Sequence, residues 1–151
     1  MNRGSRLIAA TACLGVALAS PVRADRTRTV ATVDRPAVVT AVPSAPERGA
    51  AGGSGRVILG VTGFVPSPDG TVQAVVKAAR DGAGPEREIG RFGIFPDAAF
   101  TAPDPSRARR FAFKLPEELA GAERVRLNVY LVPLHGDGKG ARLDLGSVEL
   151  H

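Results

Sequence analysis

From Val125 to Leu131 the chain alternates strictly, with Val125, Leu127, Val129 and Leu131 set against Arg126, Asn128 and Tyr130. A period of two places one set of side chains on each face of an extended strand, so this segment predicts a β-strand buried on one side. The pattern recurs. Val72, Ala74, Val76 and Ala78 alternate with Gln73 and Lys77, and Phe111, Phe113 and Leu115 alternate with Ala112 and Lys114. Arg142 to Leu150 repeats it through Leu143, Leu145, Val148 and Leu150, with a change of phase at Gly146-Ser147 that predicts a β-bulge.

Between these runs stand residues that bend the chain. Arg56 to Val65 is mostly apolar and ends in Pro66-Ser-Pro-Asp-Gly70, so it reads as a hairpin with the strand from Thr71 to Ala79. Asp81-Gly-Ala-Gly-Pro85 breaks the chain again. A third strand is expected from Glu88 to Phe95, where Gly90 and Gly93 suggest bulges or a close backbone approach. Pro116 to Ala120 fits one helical turn with proline first and acids near its positive end. Short strands with turns about every ten residues predict an all-β fold, a single antiparallel β-sandwich, jelly-roll-like, of six to eight short strands.

All seven aromatic residues lie between Phe64 and Tyr130, so the folded domain is expected over 56–151. Residues 1–24 read as a secretory signal peptide. Arg3 and Arg6 supply its charged start, Leu7 to Ala19 its apolar stretch, and Val22-Arg23-Ala24 a small-residue cleavage site. A 13-residue stretch is too short for a spanning helix, which needs about 20. The expectation is an exported protein, periplasmic or extracellular, with no transmembrane segment after cleavage. Cys13 falls inside the apolar stretch, without the residue that a lipoprotein signal normally places three positions before its cysteine.

Residues 25–55, rich in Pro, Gly and Ala and without an aromatic, read as a flexible linker. Within it Ala37 to Val42 has the β-branched density of an added edge strand, which stays open as an alternative.

Composition excludes several chemistries. With two His and one Cys, no structural zinc site, coupled dicopper centre or disulfide framework can be assembled from one chain, so no metal and no cofactor is expected. His135-Gly-Asp137 reads as a solvated turn, and Gly136 to Gly140 lacks phosphate-loop spacing. Ser106 and Ser147 sit in no nucleophile signature, so no catalytic residue is assigned and the chain is expected not to be an enzyme. Losing Arg3, Arg6 and Arg23 with the signal leaves 17 basic against 15 acidic residues, a balance of +2. The densest basic run, Arg107, Arg109 and Arg110, follows prolines and Asp104 with no interleaved aromatics, so no nucleic-acid partner is expected.

The succession Ile58-Leu-Gly-Val61, Val72-Gln-Ala-Val-Val-Lys77, Gly90-Arg-Phe-Gly-Ile-Phe-Pro96, Phe111 to Lys114 with Glu117-Glu-Leu119, Val129-Tyr-Leu-Val-Pro133 and Leu145-Gly-Ser-Val-Glu149 resembles one known domain. It is similar to the C-terminal β-sandwich domain of polyphenol oxidases and tyrosinase-like proteins, over residues 56–151. Where the plant enzymes carry Lys-Phe-Asp-Val, this chain has Val75-Val-Lys-Ala78. In that family the sandwich follows a helical domain whose six histidines bind two coppers, and it packs over the active-site entrance, often inserting a bulky side chain. The resemblance therefore implies the shielding domain without its copper-binding domain, exported separately.

Two functions follow. One is a non-enzymatic sandwich that binds or stabilises a partner protein such as a copper oxidase. The other is an envelope module that binds carbohydrate or another ligand, a reading disfavoured by the absence of Trp and the single Tyr. The loop from Pro96 to Ala108 is long for a compact sandwich. Phe100, Arg107, Arg109 and Arg110, in and just after it, are the candidate partner contacts. The alternative for Phe100 is that it folds back and closes the sandwich edge.

Overall fold

A two-residue turn at Asp81-Gly82 folds the chain back on itself, and strands before it pair with strands after it. The computed structural model describes residues 29–42 and 55–151. The strands before the turn are β1 (Val30–Thr32), β2 (Ala37–Ala41), β3 (Arg56–Val65) and β4 (Val72–Arg80). After it come β5 (Ala83–Phe92), β6 (Phe100–Thr101), β7 (Arg109–Lys114), β8 (Val125–Pro133) and β9 (Arg142–Leu150). β4 pairs with β5, β3 with β7, β2 with β8 and β1 with β9, all antiparallel. Two sheets result, β1-β9-β3-β7 and β2-β8-β4-β5, with the two-residue β6 also on β3. This is the double-sheet order of an eight-strand jelly roll. The all-β sandwich expected from the alternation is the observed fold, with nine strands among the described residues.

Two expectations are corrected. Part of the predicted linker is built into both sheets: Val30↔Asp144 ties β1 to β9, and the five positions of β2 run beside Val125 to Val129. A backbone bridge joins Thr32 and Arg35, with N···O distances of 2.8 and 3.2 Å. The segment looks like a linker because its buried residues are mostly small: Ala31, Ala37 and Ala41 are in the core. At the thin margin of a sandwich a methyl group fills the space. The predicted signal peptide and the rest of the predicted linker, 25–28 and 43–54, lie outside the described residues.

The second correction concerns the predicted hairpin of 56–65 with 71–79, because β3 and β4 lie in different sheets. Pro66 and Pro68 have no N–H for a ladder, and the connection arches across the end of the sandwich. Gly70, at φ 95°, lets this arch meet the β8–β9 loop: a Cβ there would stand 2.0 Å from the His135 carbonyl oxygen. The true hairpin is β4–β5. Its second strand begins at Ala83 and ends at Phe92, earlier than the predicted 88–95. Pro116 to Ala120 forms a hydrogen-bonded turn, with the Ala120 N–H 3.0 Å from the Pro116 carbonyl.

The core lies between the sheets, where Val57, Leu59, Val61, Val76, Val125, Leu127, Val129 and Leu143 are fully buried. The phase change at Gly146-Ser147 is a bulge, since β9 runs from Val148 to Leu145 while β3 runs only from Leu59 to Val61. On one side of the sandwich the facing edges β5 and β7 are joined by aromatic rings. Phe92 stacks on Phe111 with centroids 4.0 Å apart and meets Phe113 at 6.1 Å. Gly90 makes room for this joint, because a Cβ at that position would lie 2.6 Å from a Phe113 ring carbon.

Phe113→Ala is expected to cost ~3–5 kcal/mol in a denaturant titration, and Gly90→Ala ~1–3 kcal/mol through overpacking. The double variant should lose clearly less than their sum, because the new methyl group enters space the ring has left. Simple additivity would contradict this packing.

Candidate functional site

One end of the sandwich collects the apolar side chains that water still reaches. Val65 closes β3, Val132 and Leu134 flank the end of β8, and Phe95 follows β5. Their exposures are 45%, 40%, 53% and 91%. The register confirms the common end, for Val72 lies beside Pro133, Ala74 beside Phe92 and Phe64 beside Phe100. Of the exposed large apolar residues among those described, Val42 alone sits at the opposite end, following Ala41 where β2 meets Val125.

Phe95 is held in the open by its neighbours. Ile94 packs against the core. The Arg109 guanidinium donates through Nη1 to the Phe95 carbonyl at 3.1 Å and lies 4.2 Å from the centre of the Phe100 ring. Phe100 belongs to β6, is half-buried and packs on the core from the edge of β3. This is the edge-closing position weighed for it from the sequence.

The predicted contact residues are thus divided. Arg109 shares the inward-facing set of β7 with Phe111 and Phe113 and reaches the Phe95 loop. Arg110 points to the outer face and pairs with Glu149. Arg107 ends a 3-10 turn over Pro105–Arg107 and is exposed. Asp104 starts that turn, accepting the Ser106 N–H at 2.8 Å, a bond that holds its carboxyl below the usual range. Phe95 was missed from the sequence because it continues the run of β5. The available signal was Pro96, which ends pairing and restricts the residue before it.

The neighbouring loops are cross-tied. Ser67 Oγ donates to the Lys139 carbonyl at 2.8 Å, and Asp137 accepts the Lys139 N–H at 2.8 Å. That backbone bond first, then the ammonium of Lys139 at 2.9 Å, draws the Asp137 carboxyl below its ordinary range. Among the described residues no group of three or more His, Cys, Asp or Glu side chains is gathered into a metal-binding cluster. None of their helices is long and apolar enough to cross a membrane.

Two polar arrangements lie elsewhere. On the outer face of the β2-β8-β4-β5 sheet, Glu86 accepts hydrogen bonds from Asn128 and from the Tyr130 hydroxyl, the latter at 2.9 Å. Since β4 lies between them, the Glu86 side chain spans that strand. Lys77 stands 4.9 Å from the centre of the Tyr130 ring. Asn128 is only 5% exposed, so its amide relies on this carboxylate. At the end of the sandwich opposite Phe95, a cleft of about 320 Å³ is lined by Arg80, Gly84, Pro85, Arg87, Glu118 and Leu119. Both of its cations are engaged by Glu118, Arg87 at 3.1 Å to the carboxylate and Arg80 at 3.0 Å to the backbone carbonyl.

No protein-family model matches the chain, and no characterised protein matches it by sequence. Among solved structures it is similar to a latent aurone synthase, a polyphenol oxidase from natural source, with 14% identity and a TM-score of 0.46. The match covers 85% of this chain and 26% of that one, so the chain spans about a quarter of that protein's length.

Tyr130 provides a direct test of the outer-face network, because the chain has one Tyr and no Trp. Burial raises its pKa first, and the hydrogen bond to Glu86 and that carboxylate's charge add to the rise. The associated stability is complete below the ordinary phenol pKa of about 10 and is lost as pH rises through the higher folded-state value. An absorbance titration should place the tyrosinate midpoint above 10. Glu86→Gln should lower it only part of the way, since burial remains; an unchanged midpoint would remove Glu86 from the account.

Proposed function

We propose that this chain is an exported, non-enzymatic β-sandwich that docks on a partner protein through the end bearing Phe95. The observation that carries this reading is a phenylalanine left 91% exposed on a loop whose backbone is held by Arg109. A large apolar side chain presented to water, at the same end of the sandwich as the exposed Val65, Val132 and Leu134, has the composition of an interface centre. Arg109 fixes the carbonyl of the same residue, so less ordering entropy is lost when the ring is covered. The partner class is the one that the sequence resemblance implies, a copper oxidase exported by the same cell, which the sandwich would shield or stabilise.

The experiment compares two phenylalanines only five positions apart. Loss of an interface anchor is worth about 2 kcal/mol or more, which is roughly a 30-fold weaker Kd. Phe95→Ala should weaken capture of the exported oxidase by at least that factor while leaving the melting temperature near that of the unmodified chain. Phe100→Ala should lower the melting temperature, because its ring packs on the core under Arg109. Full-strength capture by Phe95→Ala would refute this docking end.

A further inference from the structure

The outer strands β1, β2, β5 and β7 of the sandwich are unlike one another in charge. β5 and β7, the edges on the aromatic side, carry Glu86, Arg87, Glu88 and Arg91, and Arg109, Arg110 and Lys114. Charged edge strands resist pairing with another chain. On the opposite side β1 reads Val-Ala-Thr and β2 reads Ala-Val-Val-Thr-Ala, with no charge and no proline in either. Among the described residues β2 pairs with β8 alone, so its other edge presents backbone groups to no strand.

We infer that the free edge of β2 pairs antiparallel with β2 of a second copy of this chain, joining two four-stranded sheets across a twofold axis. Opposed residues in an antiparallel pair share a face, so the axis must fall on a residue. With the axis at Val39, Ala37 meets Ala41, Val38 meets Thr40, and Pro36 meets Val42. Every pair is uncharged. Inner residues meet inner ones and outer residues meet outer ones, which is the self-complementarity an isologous contact requires. The pairing also covers Val42, which is otherwise 50% exposed at the end of this strand. This surface is separate from the Phe95 end, so either can fail without the other.

The test is the mass of the full chain in solution, by light scattering and sedimentation over the micromolar range. The unmodified protein should have the mass of two chains, and those amides from Ala37 to Val42 that point away from β8 should exchange slowly. The variant Val38→Lys with Thr40→Lys brings lysines opposite each other across the axis. It should have the mass of one chain and fast exchange at those amides, with an unchanged far-ultraviolet circular dichroism spectrum as the sign of an intact fold. Thr40 is exposed, so Thr40→Lys alone, which sets two lysines diagonally across the axis, serves if the double variant fails to fold. Three outcomes would overturn the inference: an unmodified chain that is monomeric throughout, a dimer that survives the lysines, or a lysine variant of one-chain mass whose outward-pointing β2 amides stay protected.

Discussion

The stack of Phe92 on Phe111, with Phe113 seated over Gly90, is the contact on which one whole side of the molecule depends. Hydrogen bonds hold each sheet together within itself, but between β5 and β7 no ladder exists, and there the two layers are joined by side chains. Three aromatic rings bury large area at few positions, and offset stacking adds to that burial. The joint is possible because β5 gives up a side chain at Gly90. The opposite side is closed differently. Alanines at 31, 37 and 41 let β1 and β2 approach closely, and Thr32 and Arg35 bridge the short connection between them.

The joint also governs the loop that displays Phe95. This loop leaves β5 directly after Phe92 and re-enters β7 at Arg109, two residues before Phe111, so both of its ends are set by the same stack. Within it, β6 pairs briefly with β3 and single bonds hold the rest. The Ala102 N–H donates to the Thr62 carbonyl at 2.6 Å, and Arg109 reaches back to Phe95. A long connection thereby carries an exposed apolar ring at a fixed place, and this is the physical basis of the proposed docking. Arg109 acts here as a fastener, covering Phe100 and bonding the carbonyl of Phe95.

How much of this was legible in the sequence depends on how each residue announces its surroundings. Val125 to Leu131 and Phe111 to Leu115 were readable because a half-buried strand enforces a period of two, and the Gly146-Ser147 bulge because it shifts that period. The pairing partners were less accessible, since alternation identifies a strand without naming its neighbour. Thus Arg56 to Val65 and Thr71 to Ala79, adjacent in sequence, fell into different sheets. β1 was hidden by alanine, which is as common in linkers as in thin parts of a core, whereas the β-branched run of Ala37 to Val42 had kept the added edge strand β2 open. Phe95 was hidden by context: a phenylalanine that extends an apolar run looks like core until the proline after it is weighed.

Backbone order in the loop between β5 and β7 bears most directly on whether Phe95 is presented by a formed surface. Nitrogen relaxation measured on the full chain should give residues 93–108 order parameters near the ~0.85 of rigid backbone, matching β5 and β7. Values below about 0.6 across the same residues would mean a mobile loop and would contradict the account.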